Sequence, residues 1–179
     1  MTKPPLSRET LLPLLAAHII EHGLADATLR PLARAAGTSD RMLLYHFGSK
    51  DALIAALLEH VAGIYAHSLE AAWPDGPAAS RQECAQRLLG IARAPMFAPF
   101  LRLWWEIVAG AGRGEAAFRA SAAAMMDSQL AWFAAHLPPD DPDPVGGARL
   151  VALLVEGALM FDALGLPEVG EAALHALEA

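Results

Sequence analysis

Three short clusters in this 179-residue chain place reactive side chains at spacings that chemistry uses. His18-Ile-Ile-Glu21-His22 spells H-x-x-E-H, a pattern in which a helix lays two imidazoles on one face to hold zinc. Ile19 argues against that use, because it continues an apolar stripe through Leu11 and Leu15. The chain is also short for a peptidase domain and shows no distal glutamate helix, so His18 is expected half-exposed, His22 solvated, and no metal is expected. Gly110-Ala-Gly112-Arg-Gly114 follows no strand and fits neither phosphate-loop spacing, so it reads as a helix stop. No local Ser-His-Asp or Cys-His pairing is present, so neither an enzyme nor a cofactor is expected.

The third cluster, residues 28–50, reads TLRPLARAAGTSDRMLLYHFGSK. It has the form of two short helices joined by a three-residue turn containing glycine, a helix-turn-helix. At about 100° per residue, Leu43 and Phe47 share one side of the second helix. They are expected to pack on Leu29, Leu32, Ala33, Ala36 and the stripe of the first helix. Arg41, Met42 and Tyr45 then point outward. A recognition helix uses such a face to reach base edges in the major groove, and the N–H groups at its start suit phosphate.

At the level of motifs the segment resembles the DNA-binding domain of the TetR (tetracycline-repressor) family. The resemblance is carried by Ala36-Gly37 in the turn, Leu43-Leu44-Tyr45-His46-Phe47, and Ser49-Lys50-Asp51 at the next helix start, and it covers about Leu11 to Leu58. Beyond that it rests on helix lengths and on a late apolar helix containing Glu156-Gly157-Ala158-Leu159. The resemblance implies that Thr28, Arg30, Ser39, His46 and Lys50 lie near the phosphate backbone, and that Asp40, Arg41, Met42 and Tyr45 face bases. Met42 stands where the family often has Ser or Thr, and Leu44 where it often has Tyr. Losing those hydroxyls weakens positioning on phosphate or shifts it to Arg41 and Tyr45. Asp40 can accept from a cytosine amino group but repels phosphate. The implied function is a regulator, most simply a repressor, that is released from an inverted-repeat operator by an apolar small molecule. The rival readings are a TetR-like module that has lost operator binding and an enzyme using the body's aromatic cavity.

These residues need helices to hold them, and helical spacing runs through the whole chain without a convincing strand. The fold class expected is all-α. Leu11 to His22 forms the first helix, with Thr10 as cap if Pro13 lies in the first turn, or a kink otherwise. Thr28 caps a helix holding Pro31 and ended by Gly37, and Ser39 caps Asp40 to Phe47. Ser49 starts a long helix to about Ala72, closed by the linker WPDGP at 73–77. Ser80 and Glu83 read as a capping box for a helix to about Arg93. Pro95 and Pro99 interrupt the chain before an aromatic helix from Leu101 to Ala111. Ala116 to Leu137, Val145 to Leu164 and a tail near Glu168 to Leu177 complete the set. The division expected is a DNA-binding head at 1–50 and a ligand-binding, dimerising body at 51–179.

Composition fits that division. The overall charge is −7, yet residues 1–50 hold six basic against four acidic side chains while the remainder holds seven against sixteen. Such asymmetry suits a head that approaches phosphate. With 55% apolar and 18% charged residues, a chain this short needs a second place to bury surface. One is a cavity lined by Phe97, Phe100, Trp104, Trp105, Met125 and Met126, with His67 or His60 as a polar contact, suited to an apolar or aromatic effector. The other is a subunit interface. Gly146, Leu150, Leu153, Gly157, Met160 and Leu164 recur at alternating four and three on the most apolar helix, where Phe161 joins them. With Trp132 and Phe133 on the preceding helix they would build a four-helix bundle with a second copy. The longest apolar run, Leu150 to Leu166, carries Glu156 and Asp162, so no stretch is expected to reach the ~20 residues of a membrane span. The N-terminus lacks an export signal's apolar region, and Cys84 is the sole cysteine. Both fit the cytoplasm.

Overall fold

The computed structural model describes residues 6–74 and 76–176; Asp75 of the expected linker and Leu177 of the expected tail lie outside them. Among the described residues the chain is helical throughout, with no strand. In chain order the helices are α1 (Arg8–His22), α2 (Leu29–Ala35), α3 (Asp40–Phe47), α4 (Lys50–Ala72), α5 (Arg81–Ala92), α6 (Ala98–Gly112), α7 (Ala116–His136), α8 (Pro144–Ala163) and α9 (Pro167–His175). A 3-10 turn, Pro95–Phe97, precedes α6.

Several helix ends are set by short-range chemistry. Ser39 Oγ accepts from the Met42 amide and Ser49 Oγ from the Ala52 amide, at 3.3 and 3.1 Å. The first helix departs from expectation. Its cap is Ser7, whose hydroxyl accepts from Thr10 N while Thr10 Oγ1 accepts from Ser7 N, a reciprocal box. Pro13 therefore lies inside α1, exposed, and costs the ladder one bond. Ser80 caps α5 as expected, but the Glu83 carboxylate reaches Ala79 N at 2.6 Å, one residue before the cap. Thr28 occupies the cap position of α2 without a side-chain cap bond. Pro99 does not break α6; it sits at the second helical position, where no amide bond is required, and the helix starts at Ala98.

Contacts divide the chain into two compact units. The first comprises residues 1–68 and 98–125. Its core joins Leu11, Leu15 and Ile19 of α1, Leu32 and Ala33 of α2, Leu43 and Phe47 of α3, and Leu53, Leu57 and Leu58 of α4. Leu103 and Ile107 of α6 close it, with Phe118 and Met125 of α7 packed against it. The second comprises residues 69–97 and 126–179. There α5, α8 and α9 pack together, burying Cys84, Leu88 and Leu89 with Val151, Ala152, Val155, Ala158 and Leu159. Gly170 of α9 lies so close to Ala158 that a Cβ would come within 2.7 Å of the alanine methyl.

By length and composition α4 and α8 are both apolar enough to cross a bilayer, which corrects the expectation that no segment would be. Each spends part of that surface on a core: α4 through Leu53, Leu57 and Leu58, and α8 through Val151, Val155 and Leu159.

Candidate nucleic-acid interface

Within the first unit, α2 and α3 form the two arms of a helix-turn-helix. The turn between them works because Gly37 takes φ +61°, the left-handed conformation that L side chains avoid, and the Thr38 amide returns to Ala33 O at 2.9 Å. α3 has two faces. Leu43 and Phe47 are buried in the unit's core, while Tyr45 is 78% exposed and Asp40, Arg41 and Leu44 are also exposed. Met42 is half-buried at the margin. Of the outward row expected from the sequence, Arg41 and Tyr45 are exposed, Tyr45 most prominently, while Met42 is half-buried.

Around α3, Thr28, Arg30, Ser39 and Lys50 are all exposed. Lys50 is the first residue of α4, directly after the Ser49 cap. His46 is half-buried, its ring edge-on to Tyr45 at 5.2 Å, and its Nε2 is buried without a hydrogen-bond partner. Arg8, which sequence reasoning missed, holds the far end of α3: its Nε donates to His46 O at 2.6 Å and its guanidinium lies 5.2 Å from the Phe47 ring. Only the fold brings Arg8 beside residues nearly forty positions on.

The geometry is matched by similarity. Residues 15–57 fit the sequence profile of the family described as bacterial regulatory proteins, tetR family. This stretch of the chain is similar to the TetR family. The HTH-type transcriptional regulator BetI 2 of Chromohalobacter salexigens is 39% identical over 57 residues, 32% of this chain and 28% of that protein. The chain thus matches less than a third of that relative's length. The multidrug binding protein EbrR, solved in complex with proflavin, superposes with a TM-score of 0.72 at 25% identity, covering 96% of this chain and 97% of that one. A TetR-family transcriptional regulator from Cytophaga hutchinsonii has the same fold, with a TM-score of 0.63 at 18% identity over 96% and 90% of the two chains.

The remaining expected site residues are distributed over both units. In the first, Phe100 packs on Tyr65 with ring centroids 5.7 Å apart, Trp104, Trp105 and Met125 are half-buried, and His67 is exposed. In the second, Phe97 is fully buried and Met126 half-buried. The glycine run does not stop α6, which continues through Gly110 to Gly112; Gly114, at φ +89°, follows the end. Gly110 instead lies against the Phe118 ring, closer than any Cβ would allow.

On α8 the residues of the expected seam turn away from their own core. Leu153, Met160 and Leu164 are exposed by 74%, 44% and 65%, and Leu150, Gly157 and Phe161 are half-buried. Trp132 is engaged inside its own unit: its Nε1 donates to Glu70 at 2.6 Å and its indole stacks on His136 at 3.6 Å. That cluster borders an open cleft of about 500 Å³ lined by Glu70, Trp73, His136 and prolines 74, 77, 138, 139 and 144. The His18 and His22 rings meet edge to face at 4.5 Å, and among the described residues no three metal-binding side chains converge. Burial pushes the Cys84 thiol up to about 11, which makes it a poor nucleophile near neutrality.

Proposed function

We propose that the chain is a homodimeric DNA-binding transcriptional regulator, a repressor that leaves an inverted-repeat operator when an apolar small molecule binds. The observation that carries this reading is the two-sided α3: Leu43 and Phe47 anchor it while Asp40, Arg41 and Tyr45 stand free, inside the stretch that fits the family profile. In this reading Arg41 and Tyr45 reach base edges, and Met42 and Asp40 flank them. Thr28, Arg30, Ser39, His46 and Lys50 serve the phosphates. Without hydroxyls at 42 and 44, the positioning on phosphate falls to Arg41, Tyr45 and Lys50.

Residues 1–50 act as the head and 51–179 as the body. The apolar row Leu150, Leu153, Gly157, Met160, Phe161 and Leu164 pairs with its copy, which supplies the two-fold axis an inverted repeat requires. The effector binds beside Phe100, Trp104, Trp105 and Met125, side chains whose size and pliability suit an aromatic ligand. EbrR, a structural relative, binds proflavin and has also been seen with imidazole. The effector works as a switch because it binds one separation of the two heads better than the other. A gel-shift titration on the DNA upstream of the chain's own gene tests the reading. Retardation that the effector reverses supports it, and no retardation at low salt on any inverted repeat in that DNA rejects it.

A further inference from the structure

The C-terminal end of α1 is finished by side chains from α6, more than eighty residues later in the chain. A helix leaves its last four carbonyls unpaired, and here one of them, Ile19 O, takes the Gly23 amide at 2.8 Å. The next two are taken by Arg102, whose Nη2 donates to Ile20 O at 2.6 Å and to Glu21 O at 3.0 Å. One turn further along α6, Glu106 accepts from the Leu24 amide at 2.6 Å. Charged partners make such bonds about twice as strong as neutral ones. Gly23 makes the approach possible: it takes φ +85°, and a Cβ there would stand 2.7 Å from Glu106 Oε1. From Leu24 the chain runs through one tight turn, Ala27 N to Leu24 O at 2.9 Å, straight into α2.

We infer that Arg102 and Glu106 are positioning residues for the recognition helix, clasping the point from which the helix-turn-helix departs. The inference rests on the reading of α3 as the DNA-reading element, and neither residue is part of the outward row on α3. With Leu24 fixed, the short 24–28 connection gives α2 little freedom to shift, and α3 follows α2 through the Gly37 turn. Releasing the clasp lets the α2–α3 pair drift while the apolar core still holds it together.

The test uses the full-length protein and a DNA duplex carrying its inverted repeat, with amide hydrogen exchange measured on the same samples. Glu106→Ala raises the operator Kd about tenfold, the scale on which a charged hydrogen bond is lost, and leaves affinity for unrelated DNA within about twofold. The salt slope stays unchanged, because no phosphate contact is removed. Glu106→Gln, whose amide oxygen still accepts from Leu24, recovers most of the affinity. Exchange quickens at Leu24 and along α2 and α3 in Glu106→Ala, and α8 is untouched. If Glu106→Ala fails to fold, the exposed Arg102→Ala carries the same test. Unchanged exchange in α2 and α3, or an affinity loss that merely tracks the unfolded fraction, overturns the inference. If the wild type binds no DNA, the regulator reading fails, and the exchange experiment alone decides the clasp.

Discussion

Gly110 of α6 and the ring of Phe118 on α7 occupy each other's space so closely that no side chain fits at position 110. Alanine at a helix interior ordinarily gains about 0.5–1 kcal/mol over glycine. At position 110 the ring must move, at a cost of about 1–3 kcal/mol, so Gly110→Ala is expected to be destabilising overall. Gly63, inside α4 and exposed with nothing within 4 Å of where a Cβ would stand, is the control. Chemical denaturation of the two variants should move in opposite directions, Gly63→Ala up and Gly110→Ala down. Equal shifts would contradict the steric account.

Acid should weaken the second unit through its carboxylates. The Arg81 guanidinium grips Asp141 with two bonds, at 2.7 and 2.6 Å, and holds its carboxyl below the ordinary range. Arg93 does the same to Asp162. A carboxyl whose pKa is depressed by folding adds stability at all pH values above its unfolded pKa, and that stability is lost as pH falls through the folded value. Midpoints of unfolding should therefore be flat above about pH 5 and fall below about pH 4, near the unfolded carboxylate pKa. Asp141→Asn should lower stability at neutral pH and make the acid limb shallower. An unchanged acid limb would remove Asp141 from the account.

How much of this was legible in the sequence depended on distance along the chain. Ser39, Ser49 and Ser80 were readable as caps because each acts on an amide three residues on. The two-sided α3 followed from the spacing of Leu43 and Phe47 alone. What failed was finer or more distant. Ser7 rather than Thr10 caps α1, because a reciprocal box outweighs the proline that seemed to bar it. Gly110 read as a stop because its reason, the Phe118 ring, lies across a turn. Arg8, Arg102 and Glu106 carried no local signal at all, since each acts on backbone dozens of residues away. The proline-rimmed cleft at Glu70 and Trp73 was likewise invisible until two separate loops were brought together.

The exposed row on α8 should make the protein a dimer at micromolar concentration. Leu153 is 74% exposed on an otherwise apolar face, a site where a charge costs nothing in a monomer and much in an interface. Leu153→Glu should therefore shift sedimentation from dimer to monomer with little loss of helix content. A monomeric wild type, or a dimer indifferent to Leu153→Glu, would contradict the use proposed for this face.

The central claim, that α3 reads DNA, is tested most directly by operator affinity measured across a salt series for Arg41→Ala and Lys50→Ala. Both side chains are exposed and neither belongs to the core, so the fold should survive each change. Arg41→Ala should cost on the order of 1–3 kcal/mol and relax preference at one operator position. Lys50→Ala should weaken binding to all sequences alike and lower the salt slope by about one counterion. Half-sites should lie about 34 Å apart, or a small multiple of that, as two recognition helices on a two-fold axis require. If both variants stay folded and dimeric and bind the operator as the wild type does, α3 is not the reading element.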